Sequence, residues 1–143
     1  MLKLGVVGIG GYASHVWKGA LDAMNSAEPV KLVATCDPRA DAQPHFRDQL
    51  LGRGIPVLEQ FDDLLKLDID AVWLPIPIDL HRPYTERALA TGKAVVVEKP
   101  AAGSIDEVDA MIAARDRAAL PVVVGFQNLF DPNTRRAKQK VLD

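Results

Sequence analysis

The strongest chemical signal in the sequence is a glycine turn, the segment GIGGYA at residues 8–13. It follows a short apolar run, residues 4–7, and opens a helical pattern of apolar side chains. A strand that turns sharply into a helix points backbone N–H groups at one spot, where the helix dipole also favours negative charge. Gly8 allows the tight turn, Gly10 leaves room for a pyrophosphate, and Ala13 lets the helix pack on the strand. The spacing therefore predicts a dinucleotide site.

An acidic residue, Asp37, ends the next apolar run, residues 30–36. A carboxylate about 20 positions beyond such glycines accepts hydrogen bonds from an adenosine ribose and repels a 2′-phosphate, which favours NAD over NADP. Arg39 opposes this preference, because a guanidinium pairs well with a phosphate. A second interpretation also fits the sequence: Asp37 and Pro38 can begin the next helix as its N-cap and first residue.

Lys99 is the residue to which the sequence assigns acid–base chemistry. It stands at the predicted tip of a strand, and Pro100 fixes the turn that follows. A desolvated lysine beside a positively charged nicotinamide gives up its proton more readily and can exchange it with a substrate hydroxyl. The alternative is a surface lysine paired with Glu98. His81, in the first turn of a predicted helix, lines the same pocket or is solvated.

These residues can form one site only if the fold brings them to the same edge of a sheet. The alternation of strands and helices along the sequence predicts such a fold. The predicted strands are residues 4–7, 30–36, 57–58, 71–74, 94–97 and 121–126, and the predicted helices are residues 13–24, 43–51, 62–67 and 80–91, with Asp79 as N-cap and Gly92 after the last. A capping box at residues 104–107 opens a further helix with an apolar stripe at Ile105, Val108, Met111 and Ile112. The pattern predicts an α/β fold, a Rossmann-type doubly wound parallel sheet of about six strands.

Length, charge and cysteine content indicate the number of domains, the class of partner and the compartment. The chain has 143 residues, which fits one domain, and its net charge of −2 gives no reason to expect nucleic acid or a membrane surface as partner. A single cysteine, Cys36, indicates a reducing cytoplasm. No stretch is long enough to span a membrane, and the early strand leaves no room for a signal peptide. The basic residues Arg135, Arg136, Lys138 and Lys140 are interpreted as a solvated helix face.

Several of these segments together resemble the Gfo/Idh/MocA oxidoreductases, which include relatives of glucose–fructose oxidoreductase and inositol dehydrogenase. The resemblance lies in the glycine turn, the motif Pro77-x-x-x-His81, the segment GKAVVVEKP at residues 92–100 and the segment GFQNLFDP at residues 125–132. It implies a nicotinamide dinucleotide in the glycine crevice, and hydride transfer to or from a hydroxyl-bearing carbon of a sugar, polyol or related compound. Lys99 matches the family lysine that contacts the reacting hydroxyl and the cofactor.

The same resemblance implies a second α/β domain, because the family places its substrate pocket, its subunit interface and an Asp-x-x-x-His motif there. None of His15, His45 and His81 matches that motif. Residues 1–126 are therefore expected to be the dinucleotide-binding domain and residues 127–143 a crossing segment, so the chain alone is expected to be inactive and the whole protein a homo-oligomer. The family commonly has Thr-Pro-Asn where this chain has Ile-Pro-Ile, residues 76–78.

The complete prediction assigns no metal site, NAD ahead of NADP as cofactor, and Lys99 as catalytic residue. The predicted cofactor-binding residues are Gly8, Gly10, Gly11, Tyr12, Ala13, Asp37, Arg39, Pro75, Pro77, His81, Glu98, Lys99 and Gln127. Two alternatives stay open. One is a non-catalytic dinucleotide-binding or redox-sensing module that acts through a partner chain. The other is an S-adenosylmethionine methyltransferase, in which the Glu-Lys-Pro segment has no role.

Overall fold

The core of the molecule is a parallel sheet of six strands. The computed structural model describes residues 1–11, 13–14 and 30–142. The strands are β1 (Leu2–Val7), β2 (Val30–Cys36), β3 (Val57–Leu58), β4 (Ala71–Leu74), β5 (Ala94–Val97) and β6 (Val122–Val124). They lie in the order β3-β2-β1-β4-β5-β6, and every neighbouring pair is parallel. The predicted doubly wound α/β sheet is confirmed.

Helices connect the strands along the described part of the chain. They are α1 (Pro44–Gly52), α2 (Phe61–Leu65), α3 (His81–Ala90), α4 (Ile105–Ala118) and α5 (Pro132–Leu142), with 3-10 turns at Ala40–Ala42, Ile78–Leu80 and Gln127–Phe130. The helical stripe predicted for residues 13–24 falls outside the described residues, apart from its first two positions. None of the helices that the structure describes combines the length and apolar composition that a bilayer crossing requires.

Two helix ends test the predicted capping signals. The Oγ of Ser104 accepts a hydrogen bond from the backbone N–H of Glu107, 3.3 Å away, so the predicted cap of α4 is confirmed. The Glu107 carboxylate reaches one residue further than a capping box requires, because it accepts from the N–H of Gly103 at 2.9 Å. The prediction for Asp79 is wrong: Asp79 lies within a 3-10 turn, and α3 begins after it without a side-chain cap.

Apolar side chains fill both faces of the sheet. Val6 and Val7 are neighbours on β1 and enter opposite clusters, as the two-residue repeat of a strand requires. The predicted stripe on α4 is only partly buried, since Met111 is 4% exposed whereas Ile105 and Ile112 are 75% and 42% exposed. This helix packs mainly on α3 near the β6 edge of the sheet, so only one side of the stripe is covered.

The strand order decides which loops share an edge. In a parallel sheet, all carboxyl ends point the same way, and ligands bind where the strand order reverses. Here that point lies between β1 and β4, because the chain builds outward from β1 to β3 and then returns to β4. Residues following β1, β2, β4 and β5 therefore surround one crevice, whereas the end of β6 lies at the far edge.

Candidate functional site

A cleft of about 660 Å³ opens at the carboxyl edge of the sheet. It receives residues from the ends of β1, β2, β4 and β5. Most of the predicted site residues line it: Gly8, Gly10, Gly11, Asp37, Arg39, Pro75, Pro77, His81, Glu98 and Lys99. The structure thus brings together in space groups that are separated by up to 91 positions in the sequence.

The glycine turn forms the floor of the cleft, and the backbone at Gly8 leaves little room for a side chain. Its φ is +96°, and its N–H donates to the carbonyl of Cys36 at 2.7 Å. A Cβ there would lie 3.3 Å from the carbonyl oxygen of Pro75. Gly10 is different, because a Cβ there would make an ordinary contact of 3.5 Å with the side chain of Gln43. No described residue is close enough to Gly10 to require glycine there. The reason to expect a glycine is the open cleft beside it.

The carboxylate of Asp37 joins the tip of β2 to the glycine turn. One oxygen accepts from the backbone N–H of Ile9 at 2.9 Å, and the other accepts from the N–H of Arg39 at 2.8 Å. The alternative in which Asp37 and Pro38 begin a helix is wrong, because α1 begins at Pro44. Asp37 instead stabilises a short turn, and its side chain stays at the cleft.

Two further side chains accompany Asp37 at this end. Arg39 is exposed and lines the cleft, and no described residue pairs with its guanidinium. Gln43 also lines the cleft and was missed by the sequence reasoning. The only sequence signal for it is a polar residue directly before Pro44, at the start of a helix, and in the structure its side chain lies beside Gly10.

The segment after β4 gives the cleft an apolar wall. It contributes Pro75 and Pro77, as predicted, and also Ile76, Ile78, Leu80 and Tyr84, which were not predicted as site residues. The Tyr84 ring stacks on the Phe61 ring with centroids 4.5 Å apart, and the guanidinium of Arg87 covers both. The wall is therefore fixed from behind by α2 and α3. The sequence marks Ile78 only as a departure from the family pattern.

Glu98 and Lys99 stand at the opposite end of the cleft from Asp37. One oxygen of Glu98 accepts from the indole N–H of Trp73 at 3.3 Å, and the other is buried with no partner among the described residues. A Cβ on Gly125 would lie 3.3 Å from this carboxylate. Lys99 is exposed rather than desolvated, as the surface-lysine alternative expects, but it makes no ion pair with Glu98, so only the pairing in that alternative is wrong. The Lys99–Pro100 peptide bond is cis.

His81 lies at the edge of the cleft but is 2% exposed, so the solvated alternative is wrong. Its Nδ1 lies 3.0 Å from the carbonyl oxygen of Pro100 and 3.2 Å from that of Ala101. Its Nε2 lies 2.9 Å from the carbonyl oxygen of Ile76. The imidazole therefore bridges the loop after β5 and the turn after β4.

Two predicted residues, Ala13 and Gln127, do not line the cleft. Ala13 is fully buried in the core beneath the cleft, in the same apolar cluster as Val6 and Ile9. Gln127 is exposed beyond β6, because the strand order puts that strand outermost. Tyr12 lies outside the described residues. Across residues 1–11, 13–14 and 30–142, no three His, Cys, Asp or Glu side chains are grouped to hold a metal ion.

Charge is divided along the cleft in a way that suits a long ligand. Asp37 and Arg39 stand at the tip of β2, whereas Glu98 and Lys99 stand at the tip of β5. Three strand spacings separate these tips, which is about 14 Å. An extended ligand with two nucleotide halves can reach both tips across the glycine turn.

Comparisons with known proteins agree with this geometry. The sequence model of an oxidoreductase family with an NAD-binding Rossmann fold matches residues 2–126. A dTDP-3,4-didehydro-2,6-dideoxy-alpha-D-glucose 3-reductase from Actinomadura kijaniata is 30% identical over 133 residues, covering 91% of this chain and 39% of the relative. Inositol 2-dehydrogenase from Rhizobium meliloti is 27% identical over 143 residues, covering 99% of this chain and 41% of the relative. The chain spans about 40% of the length of these relatives.

Solved structures show the same fold. Scyllo-inositol dehydrogenase from Lactobacillus casei, with bound NAD(H) and scyllo-inositol, superimposes with a TM-score of 0.83 at 30% identity, covering 99% of this chain and 41% of that chain. A 3-ketoreductase from Actinomadura kijaniata in complex with NADP and TDP-benzene gives a TM-score of 0.83 at 27% identity, covering 98% and 42%. The methyltransferase alternative has no support from these matches.

Proposed function

Because the chain belongs to the oxidoreductase family with an NAD-binding Rossmann fold, we propose that its cleft holds NAD(H) in an extended form for sugar or polyol oxidoreduction. The observation that carries the proposal is the cleft itself. It combines a glycine turn with open space beside Gly10, a carboxylate at one end and an ammonium group at the other. Backbone N–H groups of a glycine turn of this kind suit a pyrophosphate.

The adenosine half belongs at the β2 tip in this proposal. Asp37 has room for further acceptance at both oxygens, since each carboxylate oxygen offers about two acceptor sites and the backbone uses one. A ribose with two free hydroxyls fits beside it, whereas a 2′-phosphate is repelled. We therefore place NAD ahead of NADP. Arg39 weakens this preference, because a guanidinium pairs well with a 2′-phosphate. Among the relatives, one is named for NADP and another holds NAD(H).

The nicotinamide half belongs between the apolar wall and the β5 tip. When bound there, the coenzyme supplies hydride acceptance and donation. Ile76 and Ile78 offer a flat apolar surface to a ring, and they exclude water from one side of it. Lys99 would give its Nζ proton to the substrate oxygen when the neighbouring C–H bond is made, and its neutral amine would take the proton back when that bond is broken and the hydride passes to the coenzyme. Its exposed position, unpaired within the described part of the chain, leaves the ammonium group available for that contact.

The substrate side of the reaction lies outside this chain in the proposal. Residues 1–126 form the dinucleotide-binding domain, and residues 127–143 lead toward a second domain that completes the substrate pocket and the contacts of a homo-oligomer. The substrate is a small sugar, polyol or related compound, as in the named relatives. The chain alone is expected to bind NADH without turnover. Continuation of the coding sequence into a second α/β domain separates this proposal from a non-catalytic module.

Gly10→Val tests the placement of the coenzyme. The first added carbon makes only an ordinary contact with Gln43, so the fold is expected to tolerate it while the branches fill the space for the pyrophosphate. NADH affinity, measured by fluorescence titration, should fall more than about tenfold. Gly52→Val is the matched control, because Gly52 has open space around it and does not line the cleft. A folded Gly10→Val protein with unchanged NADH affinity would overturn the proposal.

A further inference from the structure

The least expected feature of the cleft is how the loop that carries Lys99 is held. Glu98, on one side of the lysine, is tied to β4 through the indole N–H of Trp73. Pro100 and Ala101, on the other side, place their carbonyl oxygens within 3.2 Å of one ring nitrogen of His81. Lys99 therefore lies between two anchored points of its loop. Trp73 on β4 holds the first, and His81 at the start of α3 holds the second.

The second ring nitrogen of His81 faces a different segment. It lies 2.9 Å from the carbonyl oxygen of Ile76, in the turn that forms the apolar wall. One imidazole thus touches both walls of the nicotinamide end of the cleft. Carbonyl oxygens only accept hydrogen bonds, and a neutral imidazole carries a single N–H, so both contacts are hydrogen bonds at the same time only when both ring nitrogens are protonated.

The surroundings of His81 exclude a direct chemical role for its ring. It is 2% exposed, and its nitrogens face backbone carbonyls of the same chain on both sides. No ring nitrogen is left to meet a substrate oxygen. Its position at the first residue of α3 places it between the two loops.

We propose that His81 is a positioning residue, which clamps the Lys99 loop to the turn after β4 and so sets the distance between the ammonium group and the apolar wall. The distance matters because a proton-transfer group must stand within hydrogen-bond reach of the reacting oxygen, and small displacements lower the rate strongly. The functional meaning of the clamp rests on the proposed function. The existence of the clamp does not, since it is a property of the chain without ligand.

Two conservative substitutions separate the two contacts. His81→Asn keeps a donor near the Nδ1 position and loses the one near Nε2, whereas His81→Gln does the reverse. Backbone order is read by heteronuclear 15N relaxation at Lys99 and Ala101 for the loop, and at Ile76 and Ile78 for the turn. We expect His81→Gln to loosen the loop and spare the turn, and His81→Asn to loosen the turn and spare the loop. A residue that merely filled space would loosen both segments equally in both variants, and that result would overturn the proposal.

His45→Asn is the matched control, because His45 is exposed on α1 and does not line the cleft. A measurement on the unsubstituted chain covers the case in which a variant does not fold. The clamp requires slowly exchanging protons on both ring nitrogens of His81, and a ring that lacks either protected proton would overturn it.

NADH titration of the same proteins links the clamp to the cleft. His81→Asn, which loosens the apolar wall beside the proposed nicotinamide site, is expected to bind NADH about three- to tenfold more weakly than the unsubstituted chain. NADH affinity unchanged in a folded His81→Asn protein would overturn the role of the clamp in shaping the site. Failure of the unsubstituted chain to bind NADH would instead reject the proposed function, while the relaxation data still decide whether the clamp exists.

Discussion

The backbone N–H of Ile9 donates a hydrogen bond of 2.9 Å to the carboxylate of Asp37. Ile9 is the residue between the first two glycines of the turn, and Asp37 ends the neighbouring strand. The glycine turn and the tip of β2 therefore behave as one unit. The same carboxylate that is proposed to bind a ribose also fixes the conformation of the turn proposed to bind the pyrophosphate.

Asp37→Ala is expected to weaken the binding of both coenzymes, and that of NADH more than that of NADPH. Both lose the support of the turn, but only NADH also loses the acceptor for its ribose hydroxyls, while NADPH is relieved of repulsion. Loss of hydrogen bonds to a charged group predicts a decrease of about tenfold or more for NADH. Parallel fluorescence titrations with NADH and NADPH measure the difference. Asp109→Ala, on an exposed position of α4, controls for charge. Equal losses would show that Asp37 only supports the turn.

Gly8→Ala is expected to destabilise the fold. The backbone there has a φ of +96°, and the added carbon would lie 3.3 Å from a carbonyl oxygen of Pro75. Such strain predicts a decrease of about 1–3 kcal/mol in the free energy of unfolding, measured in urea. Gly52→Ala makes the same chemical change at an uncrowded helix end, where it should stabilise by about 0.4–1 kcal/mol. Equal midpoints for the two variants would contradict the turn geometry.

Cys36 is expected to be unreactive in the folded chain. Burial, reinforced by the negative charge of Asp37, raises the pKa of its thiol from 9.0 to about 12. The reactive thiolate is therefore scarce at pH 8 in the folded state, and an aromatic disulfide reagent should label the chain only after unfolding in urea. Rapid labelling of the native chain at pH 8 would contradict this.

The same shift makes stability depend on alkaline pH. The folded state binds the thiol proton more tightly than the unfolded state does, so this contribution is complete below about pH 9 and is lost as the pH rises toward 12. Urea unfolding between pH 8 and pH 11 should show a steeper loss for the unsubstituted chain than for Cys36→Ala. Parallel losses in the two proteins would show that the thiol does not contribute.

Lys99→Ala is expected to separate turnover from binding in a protein that joins this chain to its substrate domain. Removal of a group that transfers a proton predicts a decrease in kcat of at least about 100-fold. NADH affinity should stay within about threefold, because the glycine turn and Asp37 are untouched. Lys138→Ala, on the exposed helix α5, is the matched control. Turnover that survives the substitution would remove Lys99 from the mechanism.

Much of the cleft could be predicted because its signals are local. The turn at residues 8–13 and the strand ends at Asp37 and Lys99 are readable from short patterns, and parallel strands bring such ends to one edge. The apolar wall could not be predicted in the same way. Whether Ile78 and Tyr84 face the cleft depends on the path of the turn after β4 and on the stacking of Tyr84 against Phe61.

The amino-acid sequence by itself determined the order of strands and helices, the glycine turn and the family, because repeats of two and 3.6 residues and tight-turn chemistry act over a few neighbours. Tertiary structure alone decided which polar groups meet. It joined Ile9 to Asp37 across 28 positions and buried His81 between carbonyls 5 to 20 positions away. It also left Gln127 outside the cleft, because β6 is the outermost strand. Partners of this kind follow from how distant segments pack, and no short pattern in the chain encodes them.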